Sequence, residues 1–350
     1  HQGIFLIFRK VKDKLEYLER KYRRDVLFEI TKIDPVTKEL RKVRVFKPKL
    51  NQLIKDSPFF ENVLEFVLKH GRLPLMEESN AYCKLLKEFK SKSKVSALIM
   101  NNVDAHELKN VRERRSNDLL VIFALMRFTR KKFPAPEDVP TSTLYDIKNF
   151  FGGYRQFLSN AETLLFMIGD EKRMGEVFNS INVGKILPDA IYIHPSYLKG
   201  LPPAIRVKVG VAESLIGDVD DCNLIKINKI KDKVSFLVYE DFDNIEHPAL
   251  MFSYVINIPK AQIKEWDFTT RENPPILHRK ETFVSPDYPL YEKFRTLSKE
   301  EEAFDLLGRH NIGTMFGWEE CLLKAGLGIT NHRVTRIDRK VFSETLQVTN

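Results

Sequence analysis

The chain from residue 223 reads Asn223-Leu-Ile-Lys-Ile-Asn228, then Val234-Ser-Phe-Leu-Val-Tyr239, then Phe252-Ser-Tyr-Val-Ile-Asn-Ile258. Each run is short, rich in β-branched and aromatic residues, and bounded by residues that favour turns, which is typical of β-strands. Further strand candidates are 191–194, 263–268, 277–284 and 330–337. One helix intervenes after 191–194, from Pro202-Pro203 to Gly217, with proline at its start and glycine after its end. Strands in succession predict a mainly antiparallel sheet in an α+β fold, covered by helices at 299–307 and 318–325.

The chain before this region has a different pattern. Val26–Ile33 and Leu40–Phe46 flank a proline-containing turn and predict a β-hairpin. Residues 51–182 follow a helical pattern, and the longest helix is predicted from an N-cap at Asp104 to Lys131. Gly3–Arg9 and 10–24 predict a strand and a helix that belong to the end of a preceding domain. The expected domains are 1–50 (the end of a preceding domain plus the hairpin), 51–182 (helical) and 183–350 (α+β).

Composition limits the class of protein. The chain has 350 residues, 43% of them hydrophobic, and a formal net charge of +9. Such a chain can bury more than one core, and its charge favours polyanionic partners. It contains no apolar run of membrane-spanning length and no pattern typical of a signal peptide, so we expect a cytoplasmic protein without membrane contact. Cys83, Cys222 and Cys321 form no metal-binding or disulfide pattern.

The densest group of charges is His278-Arg279-Lys280-Glu281, called here the HRKE segment. If it is extended, His278 and Lys280 share one face, while Arg279 and Glu281 pair on the other. The first face would bind phosphate or a nucleic-acid strand, with Lys280 exposed. A solvated edge strand is the alternative. Besides Glu281, the residues expected to support the surrounding loops are Asn273, Asp287 and Tyr288.

A second candidate for nucleic-acid contact is the first half of the long helix. Its basic residues are Lys109, Arg112, Arg114 and Arg115. Lysine and arginine side chains neutralise phosphates and release counterions, which gives salt-dependent binding. A solvated helix face is the alternative.

Acidic residues suggest a metal-dependent nuclease as a different function. Asp189 follows Leu187-Pro188, and Glu240, Asp241 and Asp243 follow a predicted strand. Carboxylates at strand ends can hold Mg²⁺ against a phosphate. An ordinary acidic turn is the alternative, and no catalytic residue can be assigned from the sequence.

Several motifs resemble one known family. They are Val183–His194, Leu201–Arg206, Val234–Asp243, Asn273–Phe294, Ile312–Glu319 and His332–Val334, with looser similarity through Arg112–Leu120 and Phe150–Tyr154. In these motifs the chain resembles the DNA phosphorothioation-associated methyltransferases. The similarity covers nearly the whole chain and is most specific after Val183.

The resemblance implies a bacterial defence protein that modifies DNA with S-adenosylmethionine. Members of the family carry a methyltransferase domain with a glycine-rich loop in front of this region, and no such loop is found here; Gly152-Gly153 fits a turn between helices. We therefore expect a C-terminal DNA-recognition and scaffold region, with no cofactor in this chain and an upstream methyltransferase domain in the same polypeptide. A protein-interaction scaffold without nucleic-acid contact is a further alternative.

Overall fold

The computed structural model describes residues 27–33, 40–46, 50–217, 219 and 221–337. The strand predicted at 3–9 and the helix predicted at 10–24 lie outside these residues. The described residues fall into two compact units, those within 1–116 and 139–152, and those within 117–138 and 153–350. The domain boundaries expected at residues 50 and 182 stay a prediction. No described helix combines the length and the apolar character that crossing a membrane requires.

The first unit contains a hairpin and several helices. Strands β1 (Leu27–Ile33) and β2 (Leu40–Phe46) pair antiparallel, as predicted. The helices are α1 (Leu50–Lys55), α2 (Phe60–His70), α3 (Asn80–Phe89), α4 (Lys92–Asn101), α5 (Ala105–Arg130) and α6 (Thr141–Phe151). Only the part of α5 up to residue 116 belongs to this unit. The N-cap prediction for α5 is confirmed, because Oδ1 of Asp104 accepts a hydrogen bond from the Glu107 amide at 2.8 Å.

A buried guanidinium organises the first unit. The Arg72 side chain is 2% exposed and donates to both carboxylate oxygens of Glu78, at 2.7 and 2.8 Å, and to the carboxylate of Asp146. Glu78 lies before α3 and Asp146 lies in α6. The charge is therefore fully paired within the interior, as burial of an ion requires.

The second unit is built on a six-stranded antiparallel sheet in the order β3-β4-β5-β6-β7-β8. These strands are β3 (Lys185–Ile186), β4 (Ala190–Ile193), β5 (Leu224–Asn228), β6 (Lys233–Tyr239), β7 (Leu250–Asn257) and β8 (Gln262–Asp267). Helices α7 (Tyr154–Met167), α8 (Glu171–Asn179) and α9 (Pro203–Ile216) belong to the same unit. The predicted α+β fold with an antiparallel sheet is confirmed.

Both faces of the central strands are covered. Val234 and Phe236 of β6 belong to the core cluster that contains the buried face of α9. Leu237 points to the other face and packs with Leu277 and Phe294. Burial on both faces explains why β6 contains the continuous apolar run Phe236–Tyr239 instead of an alternating pattern.

The last part of the chain covers this second face. It contains a 3₁₀-helix at Lys280–Thr282, helices α10 (Tyr291–Ala303) and α11 (Met315–Ala325), and a hairpin of β9 (Leu327–Thr330) and β10 (Arg333–Arg336). The strand predicted at 277–284 is wrong. The predicted strand at 330–337 is the second arm of a hairpin, and the helix predicted at 299–307 begins eight residues earlier, at Tyr291.

Candidate functional sites

The HRKE segment turns inward instead of forming an edge strand. Arg279 adopts a left-handed backbone conformation with φ of 55°, and Lys280 starts the 3₁₀-helix. This reversal breaks the alternation of faces that an extended segment would have. The expected pairing of His278 with Lys280 on one open face is therefore wrong.

Lys280 is an interior residue. It is 3% exposed, and its Nζ donates to the carbonyl oxygens of Phe242 at 2.7 Å and Ile245 at 2.6 Å. The ring centroid of Phe294 lies 4.0 Å from the same nitrogen. Desolvation lowers the pKa of Lys280 to about 7, against the attraction of Asp243. The expectation of an exposed lysine is wrong, and in this position the ammonium cannot reach a nucleic-acid backbone.

The other three residues of the segment separate. His278 donates through Nε2 to the carbonyl of Ile312 at 2.6 Å. Glu281 accepts from the hydroxyl of Ser298 at 2.8 Å, so its predicted pairing with Arg279 is wrong. Arg279 instead contacts Glu302 at 2.6 Å, in a pair whose side chains are 38% and 49% exposed. Of the predicted DNA-binding residues in this segment, only Arg279 presents its charge at the surface.

The predicted supporting residues each fix a loop. Oδ1 of Asn273 accepts from the amide of Phe316 at 2.9 Å. The amide of Asp287 donates to the hydroxyl of Ser285 at 3.3 Å. Tyr288 donates its hydroxyl to Asp243 at 2.6 Å. These bonds hold the chain that leads into and out of the HRKE segment.

The basic residues of α5 do not form one surface. Arg112 donates to the carbonyl of Gly71 at 2.7 Å, and Arg115 pairs with Asp146 at 2.7 Å. Lys109 and Arg114 are exposed. Five residues apart on a helix, they point about 140° away from each other. Two of the four residues predicted to contact nucleic acid are thus bonded to other residues of the first unit.

The four carboxylates of the nuclease hypothesis are not brought together. Asp189 lies in the β3–β4 turn, at the end of the sheet where Ala190 pairs with Asn228. Glu240, Asp241 and Asp243 follow β6 at the opposite end. They cannot share an ion, and Asp241 accepts from its neighbour Asn244 at 2.9 Å, as in an ordinary acidic turn. Among the described residues, the group with ligand atoms close enough is His247, His278 and Glu301.

A cleft of about 510 Å³ opens at that opposite end of the sheet. Its lining includes four acidic side chains and no lysine or arginine: Asp221, Glu240, Asp241 and Asp243. His194 also lines it, and desolvation lowers the pKa of this imidazole. We call this the acidic cleft, and its charge disfavours a phosphate backbone.

The other end of the sheet is basic. Three turns meet there, 187–189, 229–232 and 258–261, and we call them together the basic end. Hydrogen bonds join the turns, from the amide of Lys229 to the carbonyl of Asp189 at 2.8 Å and from the amide of Ile258 to the carbonyl of Asp232 at 3.1 Å. The lysines at or beside the turns are Lys229, Lys231, Lys233, Lys260 and Lys264.

These lysines have few anionic neighbours. None of them forms an ion pair with another described residue. The Asp232 carboxylate, which belongs to one of the turns, is held at 2.6 Å by the interior Lys208. Asp189 and Glu265 are the remaining acids of these turns and of the start of β8. Reasoning from the sequence missed this surface, although Lys229-Ile-Lys-Asp-Lys233 at a predicted turn was a usable signal.

Comparison with models of known families, with curated proteins and with solved structures found no match to this chain.

Proposed function

We propose that this chain is the DNA-recognition and scaffold region of a DNA methyltransferase that acts in phosphorothioation-linked bacterial defence. The observation that supports the DNA contact is the basic end, where two turns that carry lysines, 229–232 and 258–261, lie at the same end of the sheet. Lysine side chains neutralise backbone phosphates whatever the base sequence. The contact is thus expected to position the DNA rather than to read its bases.

The distribution of charge supports this orientation. The basic end and the acidic cleft lie at opposite ends of the same sheet. A polyanion would be attracted to one end and repelled from the other, which favours a single docking direction. The HRKE segment supports the scaffold part of the proposal, because its inward-facing side chains hold loops and α10 in place.

The methyl-transfer part rests on the family resemblance. It implies S-adenosylmethionine bound by an upstream domain of the same polypeptide, with the reaction on DNA in the cytoplasm. In this arrangement the present chain supplies binding energy and orientation, and the upstream domain supplies the chemistry.

The test is charge reversal at the basic end. Lys231, Lys260 and Lys264 are exposed, and the triple variant K231E/K260E/K264E should fold normally. We expect its affinity for a short DNA duplex at low salt to fall at least about tenfold. The slope of log affinity against log salt should become shallower by about 3, because three phosphates would no longer be neutralised. Fluorescence anisotropy over a salt series measures both quantities.

A matched control separates location from net charge. K87E/K92E/K94E changes the same number of exposed lysines in the first unit. We expect this control to bind nearly as tightly as the unaltered chain. Equal losses in the two triple variants would show that only total charge matters. Absence of binding at low salt by the unaltered chain would favour a protein-interaction scaffold instead.

A further inference from the structure

Three potential metal ligands meet beneath α11, although they are far apart in the sequence. His247 lies in the connection between β6 and β7, His278 in the HRKE segment, and Glu301 in the last turn of α10. One ligand atom from each lies within 4.8 Å of the other two. We propose that His247, His278 and Glu301 bind a divalent transition-metal ion, with zinc as the closest chemical match.

The first argument is that this cluster contains buried polar atoms without partners. Glu301 is 1% exposed, and neither of its carboxylate oxygens has a hydrogen-bond partner; Nδ1 of His278 also lacks one. Nε2 of His247 lies 2.7 Å from Oε1 of Glu301, but the oxygen lies off the direction in which the ring N–H would donate. Buried polar groups are nearly always satisfied, so unpartnered atoms on side chains that meet within 4.8 Å favour a bound ligand at this position.

The second argument concerns the histidine tautomer. His278 donates its Nε2–H to the carbonyl of Ile312, which leaves the lone pair on Nδ1. Histidines that bind metals commonly use this arrangement, in which a backbone carbonyl fixes the ring through its other nitrogen. The ring of His278 is thus oriented so that Nδ1 is free to bind an ion, and no hydrogen bond among the described residues occupies that nitrogen. Neutral imidazole is the form that binds metal.

The third argument concerns charge in the enclosed site. Glu301 is 1% exposed and forms no ion pair with a lysine or arginine of the described residues. A divalent ion would compensate the charge of this buried carboxylate. The charged groups that act on His247 are Lys280, which would oppose a cation, and Glu246, which would favour one. The surroundings therefore include one repulsive and one attractive group in addition to the ligands.

The fourth argument is the choice of ion and the kind of site. Two imidazole nitrogens and one carboxylate suit zinc, with bonds of roughly 2.0–2.2 Å. The His247 and Glu301 ligand atoms lie 2.7 Å apart and would separate by roughly 0.6–0.9 Å around a tetrahedral ion with such bonds. The indole ring of Trp318 covers both imidazoles, with centroid distances of 4.7 and 4.6 Å, and is itself 5% exposed. This enclosure favours an ion that ties three segments together.

The experiment uses the full chain, stripped with a chelator and titrated with Co²⁺ and Zn²⁺ alone. We expect one ion per chain, with visible d–d absorption from Co²⁺. Glu301→Gln preserves the shape of the side chain and removes the charged ligand, and should weaken zinc binding at least about tenfold. His310→Gln and Glu302→Gln alter exposed residues of the same types and should leave zinc affinity unchanged.

X-ray absorption of the zinc-loaded, unaltered chain tests the assignment even where the Glu301→Gln variant does not fold. Nitrogen and oxygen alone should be bonded to zinc, with the signature of imidazole. A sulfur neighbour would mean that a cysteine binds the ion and would overturn the proposal. The absence of stoichiometric binding, or equal zinc affinity in Glu301→Gln and the unaltered chain, would also overturn it.

Discussion

Lys280 and Arg279 are adjacent cations with different surroundings. The Lys280 ammonium is buried against two carbonyl oxygens, at 2.7 and 2.6 Å, whereas Arg279 forms an exposed pair with Glu302. Lys280→Ala would leave both carbonyls without a donor and create a cavity, so we expect the free energy of unfolding to fall by about 2–4 kcal/mol. Arg279→Ala should cost at most about 1 kcal/mol. Denaturant unfolding of both variants measures this, and equal losses would contradict the assignment.

The composition of the HRKE segment marked it as unusual, but its burial could not be inferred. The groups that satisfy its charges are remote in sequence, as with the carbonyls of Phe242 and Ile312. The expected alternation of side chains between two faces also requires an extended backbone, and the left-handed conformation of Arg279 shows that the backbone is not extended there. Likewise, nothing in local sequence joins Glu301 to His247, because only the packing of α10 against the β6–β7 connection brings them together.

Helix α11 depends on close backbone contact at one glycine. A Cβ added to Gly317 would lie 1.9 Å from the carbonyl oxygen of Asn311. This oxygen belongs to the backbone, so the clash cannot be relieved by a side-chain movement. Gly317→Ala should therefore shift α11 and reduce the free energy of unfolding by about 1–3 kcal/mol. Gly313→Ala is the control, because a Cβ there meets no atom within 4 Å and should change stability by at most about 0.5 kcal/mol. If Gly313→Ala were destabilised while Gly317→Ala kept its free energy of unfolding, the claim that close contact at Gly317 holds α11 in place would be refuted.

Elements with a strong local signal were predictable. The helix ending before Gly217 and the strands at 224–228 and 233–239 were identified from periodicity and end signals. The region after Phe268 was less predictable because its segments are held by tertiary contacts rather than by regular pairing. Pro275, for example, joins Thr314 through an isolated bridge, and Leu277 packs into a core cluster without belonging to a strand.

At the scale of the whole molecule, net charge was visible in the sequence but its distribution was not. The +9 formal charge indicated a polyanionic partner. Only the antiparallel order of the strands determines that the turns containing Lys231 and Lys260 meet at one end, while Glu240 and Asp243 lie at the other. The candidate surface for DNA is thus a consequence of topology, and no single motif could reveal it.

The same topology leads to an expectation about the methyl donor. Dinucleotide-type and related nucleoside sites use a glycine-rich turn from a parallel strand into a helix, where backbone amides approach the ligand. In the described part of this chain every paired strand of the six-stranded sheet is antiparallel, and β4 leads into a 3₁₀-helix at Pro195–Gly200. Gly152 and Gly153 separate two helices, α6 and α7, and follow no strand.

We therefore expect isothermal titration of this chain with S-adenosylmethionine to give no saturable binding in the micromolar range. Saturable micromolar binding would move the cofactor site into this chain, and the acidic cleft, with its carboxylates and aromatic side chains, would be the first place to examine by substitution.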